Sequence, residues 1–401
     1  MSVEKNVPEI RFKGFSEEWR TSEIFELALF NPKEELPDRF KYVDLECVKG
    51  TSLIGYRVEL RESAPSRAQR LAKKDDVFFQ TVRPYQKNNY LFNKVENDYV
   101  FSTGYAQLRP YYDANFLLNL VQRDSFVKNV LDNCTGTSYP AINASILAGL
   151  EVSYPEAEDE QTQIGNTFQK LDSLINQHQQ KHEKLSNIKK SMLEKMFPKR
   201  GKKTPEIRFK GFSGEWEEKE LGELAEIVRG ASPRPIEDPK WFDNQSSVGW
   251  LRIRDVTEQD GRIHHLVQRI SKLGQEKTRV LHEKHLLLSI AASVGKPVVN
   301  YVETGVHDGF LIFKKPLFEL EFMYQWLKSF ELKWQQYGQP GSQVNLNSDI
   351  VKSQFVAIPS NEEQQEIGIY FQKLDSLINQ HHQQITKLNN IKQACLSKMF
   401  V

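Results

Sequence analysis

Two hydrophobic rhythms alternate along this chain. Between residues 40 and 157, short β-branched and aromatic runs are cut by Gly, Pro and Asn. Tyr42–Val48, Asp76–Val82, Tyr99–Ser102 and a run closing at Val152–Pro155 predict strands. Asn115–Leu131 breaks the pattern, because Leu117, Leu118, Leu120, Val121, Phe126, Val127, Val130 and Leu131 share one face of an amphipathic helix. Residues 250–359 repeat this grammar in different words. Trp250–Val256 stands for Tyr42–Val48, His285–Lys296 for Asp76–Lys87, and Gly305–Phe313 for the region around Phe101–Tyr105. Phe322–Trp334 replaces the helix, Gly341–Asn347 mirrors Gly136–Asn143, and Val356–Pro359 mirrors Val152–Pro155. Each interior reads as an α+β globular unit.

After each interior the rhythm changes to alternating steps of four and three. The first seam runs Ile164, Phe168, Leu171, Ile175, His178, His182, Leu185, Lys189, Met192 and Met196. The second runs Ile367, Phe371, Leu374, Ile378, His381, Ile385, Leu388, Lys392, Cys395 and Met399 in the same register. Such spacing keeps one stripe of a helix against a partner, which predicts a coiled coil. Pro198 and Gly201 end the first helix, and Lys199–Lys203 forms a basic linker. Antiparallel pairing would place one globular unit at each end of a rod roughly 55 Å long at 1.5 Å per residue. Parallel pairing would crowd both units at one end.

The junctions are duplicated outright. Phe168–Gln177 returns letter for letter as Phe371–Gln380, and Pro8–Ser16 returns as Pro205–Ser213. Ser16–Trp19 reads as a helix or turn start, with Trp19 and Trp216 as equivalent packing residues. The expected architecture is therefore an internal repeat with approximate twofold symmetry. It divides into a first globular domain (1–157), a central helix (158–200), a second globular domain (201–360) and a C-terminal helix (361–401).

Composition adds little. Lys plus Arg (54) balances Asp plus Glu (53), so net charge neither implies nor excludes a polyanion partner. Cys47, Cys134 and Cys395 are odd in number and unmatched in spacing, which favours a reducing setting over a disulfide framework. No run has the length of a membrane span and the start carries no apolar leader, so a cytoplasmic protein without a membrane is expected.

No catalytic motif survives inspection. Gly295-Lys296 lacks the P-loop glycine five residues earlier, where Ile290 stands, and neither GxGxxG nor GxSxG occurs. Pro37-Asp38 has no following Glu/Asp-x-Lys, so a nuclease centre is unsupported. His178 and His182 have a zinc-compatible spacing, but Ile385 fills the matching slot of the second copy, which makes these packing positions. His282 and His285 read as surface residues. No metal site is expected.

Nucleic-acid signals lie in the interiors. Arg83–Tyr90 mixes an arginine fork, amides that can pair with adenine edges, and flat rings, which suits phosphate and base contacts. The same residue types also make ordinary loops. Arg252 and Arg254 alternate along the expected strand Leu251–Asp255, and Ser293–Lys296 is a small-residue turn. Candidate DNA contacts are Arg67, Arg70, Arg83, Tyr85, Lys87, Asn88, Asn89, Tyr105, Ser138 and Tyr139 in the first interior. In the second they are Arg252, Arg254, Ser293, Lys296 and Gln343.

These features together resemble the specificity subunits of type I restriction–modification enzymes. The resemblance rests on Glu160–Ile164 with Phe168–Ile175, Glu363–Ile367 with Phe371–Ile378, the opening phrase ending in Trp19 and Trp216, and the turns before Ile142-Asn143 and Leu346-Asn347. Asp76–Tyr85 resembles one variant of the family's recognition domain and Leu286–Lys296 another. The resemblance implies two target-recognition domains, each reading half of a bipartite, asymmetric site in double-stranded DNA. It implies a coiled coil that sets the gap, about one and a half turns at ~34 Å per turn. It also implies docking of two modification subunits that methylate adenine with S-adenosylmethionine. Two restriction subunits would use ATP and Mg, leaving this chain without catalysis or cofactor of its own. Two other readings remain open: a self-sufficient enzyme with an unrecognised site, and a protein–protein spacer whose arginines are only solvated.

Overall fold

The computed structural model describes residues 6–136, 138–199, 201–291, 294–337 and 346–401. The chain forms two compact units, one running up to Gln180 and joined by His382–Val401, the other Lys181–His381. Both divisions fall inside long helices, Glu158–Lys195 and Asn361–Lys398, each of 38 residues.

In the first unit two four-stranded sheets share the core. One has the order Arg57–Leu60, Arg39–Val43, Tyr99–Ser102, Ala68–Leu71; the other Ala28–Phe30, Tyr105–Pro110, Val77–Gln80, Tyr90–Leu91. Val77–Gln80 and Tyr99–Ser102 are buried on both faces, as their continuous apolar runs require. A ribbon of Arg20–Glu23 paired with Glu151–Tyr154 closes the domain just before the long helix.

Three local expectations are corrected here. After the turn at Lys13-Gly14 the Ser16–Trp19 segment enters the strand Arg20–Glu23 and forms no helix. The strand expected over Tyr42–Val48 stops at Val43 and gives way to a 3-10 turn capped by the Asp44 carboxylate, which accepts from the Glu46 amide. The single helix expected at Asn115–Leu131 is two, Ala114–Gln122 and Asp124–Asp132, broken at Arg123 in extended conformation. The break has a physical cause. Arg123 is turned inward, donating to the Leu120 and Val401 carbonyls, with its guanidinium 5.2 Å from the Phe400 ring centre.

The second unit has a five-stranded sheet, ordered Glu226–Arg229, Phe310–Lys314, Leu286–Ser289, Pro297–Asn300, Arg262–Ile263. A three-stranded sheet, Gly249–Leu251, Thr304–Val306, Arg279–Leu281, packs beside it. The helix Leu320–Phe330 covers the core, and the ribbon Glu217–Glu220 with Phe355–Ile358 closes it.

Helix pairing is antiparallel within each unit. In the first, Phe168 meets Phe400 while Asp172 meets Lys392 at 2.6 Å, so one helix ascends as the other descends. In the second, Phe371 meets Phe197 and Asp375 meets Lys189 at 2.5 Å. The lysines that sat at seam positions in the sequence are thus the partners of the aspartates in the duplicated phrase. Ile164, Phe168, Ile175, Ile367, Phe371 and Leu374 are buried; Leu171, Leu185, Met192, Ile378, Ile385 and Leu388 are half-buried. Phe168 and Phe371 also belong to the globular cores, where they join Trp19 and Trp216.

The opening phrase explains itself in the same way. Arg11 reaches the Glu160 carboxylate with two bonds of 2.7 and 2.8 Å, and Arg208 reaches Glu363 with two of 2.7 and 2.6 Å. Both carboxylates are 1% exposed, so each is neutralised by a fork of matching geometry. The Ile10 amide donates to Lys398 O, and the Ile207 amide to Lys195 O, satisfying the carbonyl at each helix end.

Candidate nucleic-acid interface

In the first unit a cleft of about 490 Å³ lies between the Leu45–Ile54 turns and the loop that follows Val77–Gln80. The loop is built from strained backbone. Arg83 and Lys87 both adopt left-handed conformations, φ 55° and 54°, on either side of the 3-10 turn Pro84–Gln86. The strain is held by pairing: Arg83 N donates to Pro140 O at 2.7 Å, and Val82 bridges Ala141. Arg83 then lays its guanidinium 4.3 Å from the Tyr139 ring centre, over a side chain that is itself exposed. Arg83, Asn88 and Tyr139 therefore line one cleft, together with Glu46, Lys49, Gln80 and Gln86. Gln86 lies within the octapeptide singled out in the sequence, whereas Gln80, Glu46 and Lys49 carried no sequence signal.

Other candidates fall elsewhere. Tyr85, Arg67 and Ser138 are exposed. Lys87 is committed to Asp124 at 2.6 Å, a bond that ties the loop to the second short helix. Arg70 is half-buried with its Nε unpaired, and burial pulls its pKa below the ordinary arginine value. Two assignments are corrected. Asn89 is buried and its Oδ1 accepts from the Gln80 amide at 2.8 Å, so it staples the hairpin and faces no solvent. Tyr105 is fully buried against Phe78 and Phe101, with burial pushing its phenol pKa up, so it is a core residue.

The second unit carries a larger cleft of about 900 Å³, walled by Phe242, Trp250 and His307. Besides Arg252, its polar lining includes Ser232, Arg234, Glu237, Asn244, Gln268 and Asp308, none of which the sequence reading singled out. Ser232 Oγ and Arg234 Nη2 both donate to Asp308 at 2.8 Å. Burial acts to raise the Asp308 pKa, but the Ser232 bond and the Arg234 and Arg229 charges hold it below the usual range. Burial pulls the His307 pKa down, against the opposing charge of Asp308.

The expected strand Leu251–Asp255 is corrected too. Its strand ends at Leu251 and a short helix, Ile253–Glu258, begins, because Asp255 folds back to accept from the Arg252 amide at 2.9 Å. Arg252 and Arg254 therefore do not alternate on a strand face. Arg252 lines the cleft but pairs with Asp255, and Arg254 pairs with Glu258 at 2.5 Å. Lys296 is half-buried beside the strand pair Leu286–Ser289 and Pro297–Asn300. Ser293 and Gln343 lie outside the described residues.

Among the described residues, no cluster of three or more His, Cys, Asp or Glu side chains could hold a metal ion. No helix among them is long and apolar enough to cross a membrane.

The family described as "Type I restriction modification DNA specificity domain" matches residues 71–187 and again 213–390, more than half of the chain. The chain belongs to this family. It is 23% identical over 289 residues to the type I restriction enzyme MjaIX specificity subunit of Methanocaldococcus jannaschii, an alignment covering 66% of this chain. It spans 63% of that relative's length. The fold is similar to that of the type I restriction–modification S subunit from M. genitalium, with TM-score 0.61, 15% identity, and 98% and 99% of the two chains covered. It is also similar to a chain from a structure described as "Structural basis underlying complex assembly and conformational transition of the type I R-M system", with TM-score 0.54, 22% identity, and 95% and 97% covered.

Proposed function

We propose that this chain addresses a modification complex to a bipartite, asymmetric site in double-stranded DNA, each globular domain reading one half. The observation carrying this is the pairing of one frame with two unlike clefts: a donor-rich one around Arg83, and an aromatic one rimmed by Arg234, Asn244 and Gln268. Identical readers would recognise a symmetric site; different ones recognise different halves. In this reading residues 1–157 and 201–360 select bases, while 158–200 and 361–401 fix the gap between half-sites and dock two modification subunits. Those subunits would methylate adenine with S-adenosylmethionine, and two restriction subunits would supply ATP- and Mg-dependent cleavage, all in the cytoplasm.

Two measurements test it. Binding of the chain with its modification subunit to duplex DNA should weaken steeply with salt, because phosphate contacts release counterions. Mapping methylated adenines in cells expressing the complex should reveal a two-part target. Exchange of residues 1–157 for those of another family member should alter one part only. A change in both parts together would sink the reading of independent domains.

A further inference from the structure

Hydrogen-bond logic in the first cleft fixes which way its amides point. Gln80 Nε2 donates to the Val82 carbonyl at 2.7 Å, and Gln80 Oε1 accepts from the Asn88 backbone N–H at 3.2 Å. A carbonyl can only accept and an amide N–H only donate, so the orientation of Gln80 is determined. Asn88 is fixed likewise, since its Oδ1 accepts from the Gly50 N–H at 2.8 Å. Both side chains then turn their NH2 groups toward one atom, Gln86 Oε1, at 2.9 and 3.5 Å. The oxygen of Gln86 is occupied, so on this exposed residue the NH2 is the end left to donate.

Arg83, which lines the same cleft, presents only donors. Its ring contact with Tyr139 restrains the plane of the fork without consuming any N–H. Among the described residues no carboxylate pairs with Arg83, whereas Lys87, Arg252 and Arg254 are all neutralised. Of the cleft's lining residues Glu46 alone carries a carboxylate, and it is exposed.

Two donor groups lining one cleft can meet two adjacent acceptors. In the major groove guanine alone offers that pair, N7 and O6, while its cytosine partner offers a single amino donor. Adenine and thymine each present one acceptor there, accompanied by an amino group or a methyl. We infer that the first unit's cleft reads a G·C base pair, with Arg83 and Gln86 donating to guanine and Glu46 accepting from the cytosine amino group. Lys49, at the cleft edge, is placed to meet a phosphate and adds no base preference. The inference rests on the proposed DNA-addressing function and names the base pair at one of its two sites.

The test uses the full chain assembled with its modification subunits. Methylation mapping, with and without the exchange of residues 1–157, first assigns one half-site to the first domain. Duplexes carrying 7-deazaguanine at each guanine of that half-site then remove N7 alone and leave pairing intact. Wild-type complex should lose binding about 10-fold or more at one position, in keeping with the worth of a bidentate contact. Arg83→Ala and Arg83→Lys should lose a similar factor on natural DNA and become indifferent to that deaza substitution. Gln86→Glu should shift preference at the same position away from guanine. Lys49→Ala should weaken all sequences alike and lower the salt slope by about one. A half-site without a G·C pair, or wild-type binding blind to 7-deazaguanine at every position, overturns the inference even if the variants fail to fold. Methylation that stays two-part in either case leaves the addressing function standing, whereas wild-type complex that ignores duplex DNA removes both.

Discussion

The two units share a frame and differ in its cargo. In each, an arginine from the opening phrase clamps a buried glutamate at the start of a long helix, and a phenylalanine from the far end of the other long helix enters the core. Phe400 lies 6.0 Å from Trp19 and 5.9 Å from Phe168, and Phe197 lies 6.5 Å from Trp216 and 6.1 Å from Phe371. The clefts have no such correspondence: one gathers amides and a fork around a strained loop, the other aromatic rings and an acid held by Ser232 and Arg234. Identical residues therefore mark what is built twice, and divergent ones line clefts of unlike chemistry.

The strongest way to break the comparison is through the clamps. Arg11→Ala and Arg208→Ala each leave a buried carboxylate unpaired, and each should cost about 3–5 kcal/mol. Hydrogen exchange should show the loss confined to the unit that holds the altered clamp. Loss of protection in both units from either variant would show that the frames do not stand separately.

A smaller effect should expose where the frames differ. Asp375 receives Lys189 at 2.5 Å, Arg262 at 3.3 Å and Gln325 at 3.0 Å, whereas Asp172 receives Lys392 and is more exposed. Asp375→Asn should cost about 1.5–3 kcal/mol as a charged hydrogen-bonded group. Asp172→Asn should cost about 1 kcal/mol or less, screened by solvent. Denaturant midpoints for the two variants check this, and equal losses would remove the asymmetry.

Much of this frame was legible in advance, because it is written in periodicity and repetition. Steps of four and three located both helices, and the seam lysines were visible as polar interruptions, though their aspartate partners emerge only once the helices pair. Burial of Trp19 and Trp216 followed from their place after a duplicated turn. The clefts were only half legible. Arg83–Tyr90 stood out by composition, yet Asn89 and Lys87 turned out to be structural, because composition does not say which amide points inward. Tyr105 failed for the same reason, being one residue of a strand buried on both faces. Arg234 and Asp308 are distant in sequence and meet where the chain leaves the pairing of Glu226–Arg229 with Phe310–Lys314.

Glycine substitution sharpens the comparison further. A Cβ at Gly165 would lie 2.0 Å from Asp113 Oδ1 and 3.0 Å from the Phe116 amide, the very bond that caps the first short helix. At Gly368 the nearest atom is Glu321 Cβ, at 3.0 Å. Gly165→Ala should therefore destabilise by about 1–3 kcal/mol through overpacking. Gly368→Ala should be close to neutral, since helix propensity returns up to about 1 kcal/mol. Thermal unfolding of the two variants separates these outcomes.

The smallest expected effect is one of pH, and it belongs to the second unit alone. His307 Nδ1 accepts the Gly309 N–H at 2.8 Å, which requires the neutral ring, and burial beside Trp250 and Phe310 pulls its pKa down. Asp308 opposes that shift without cancelling it. The unfolded chain therefore binds this proton more readily than the folded one, with an unfolded value of about 6.5. The stability His307 contributes is complete above that pH and declines as pH falls through the lower, folded value. Denaturation of the wild type between pH 7.5 and 5.5, followed by probes in each unit, should show this decline in the second unit. His307→Asn, which does not titrate, should flatten it there and leave the first unit's profile unchanged. A profile that keeps its slope in His307→Asn would place the titrating group elsewhere.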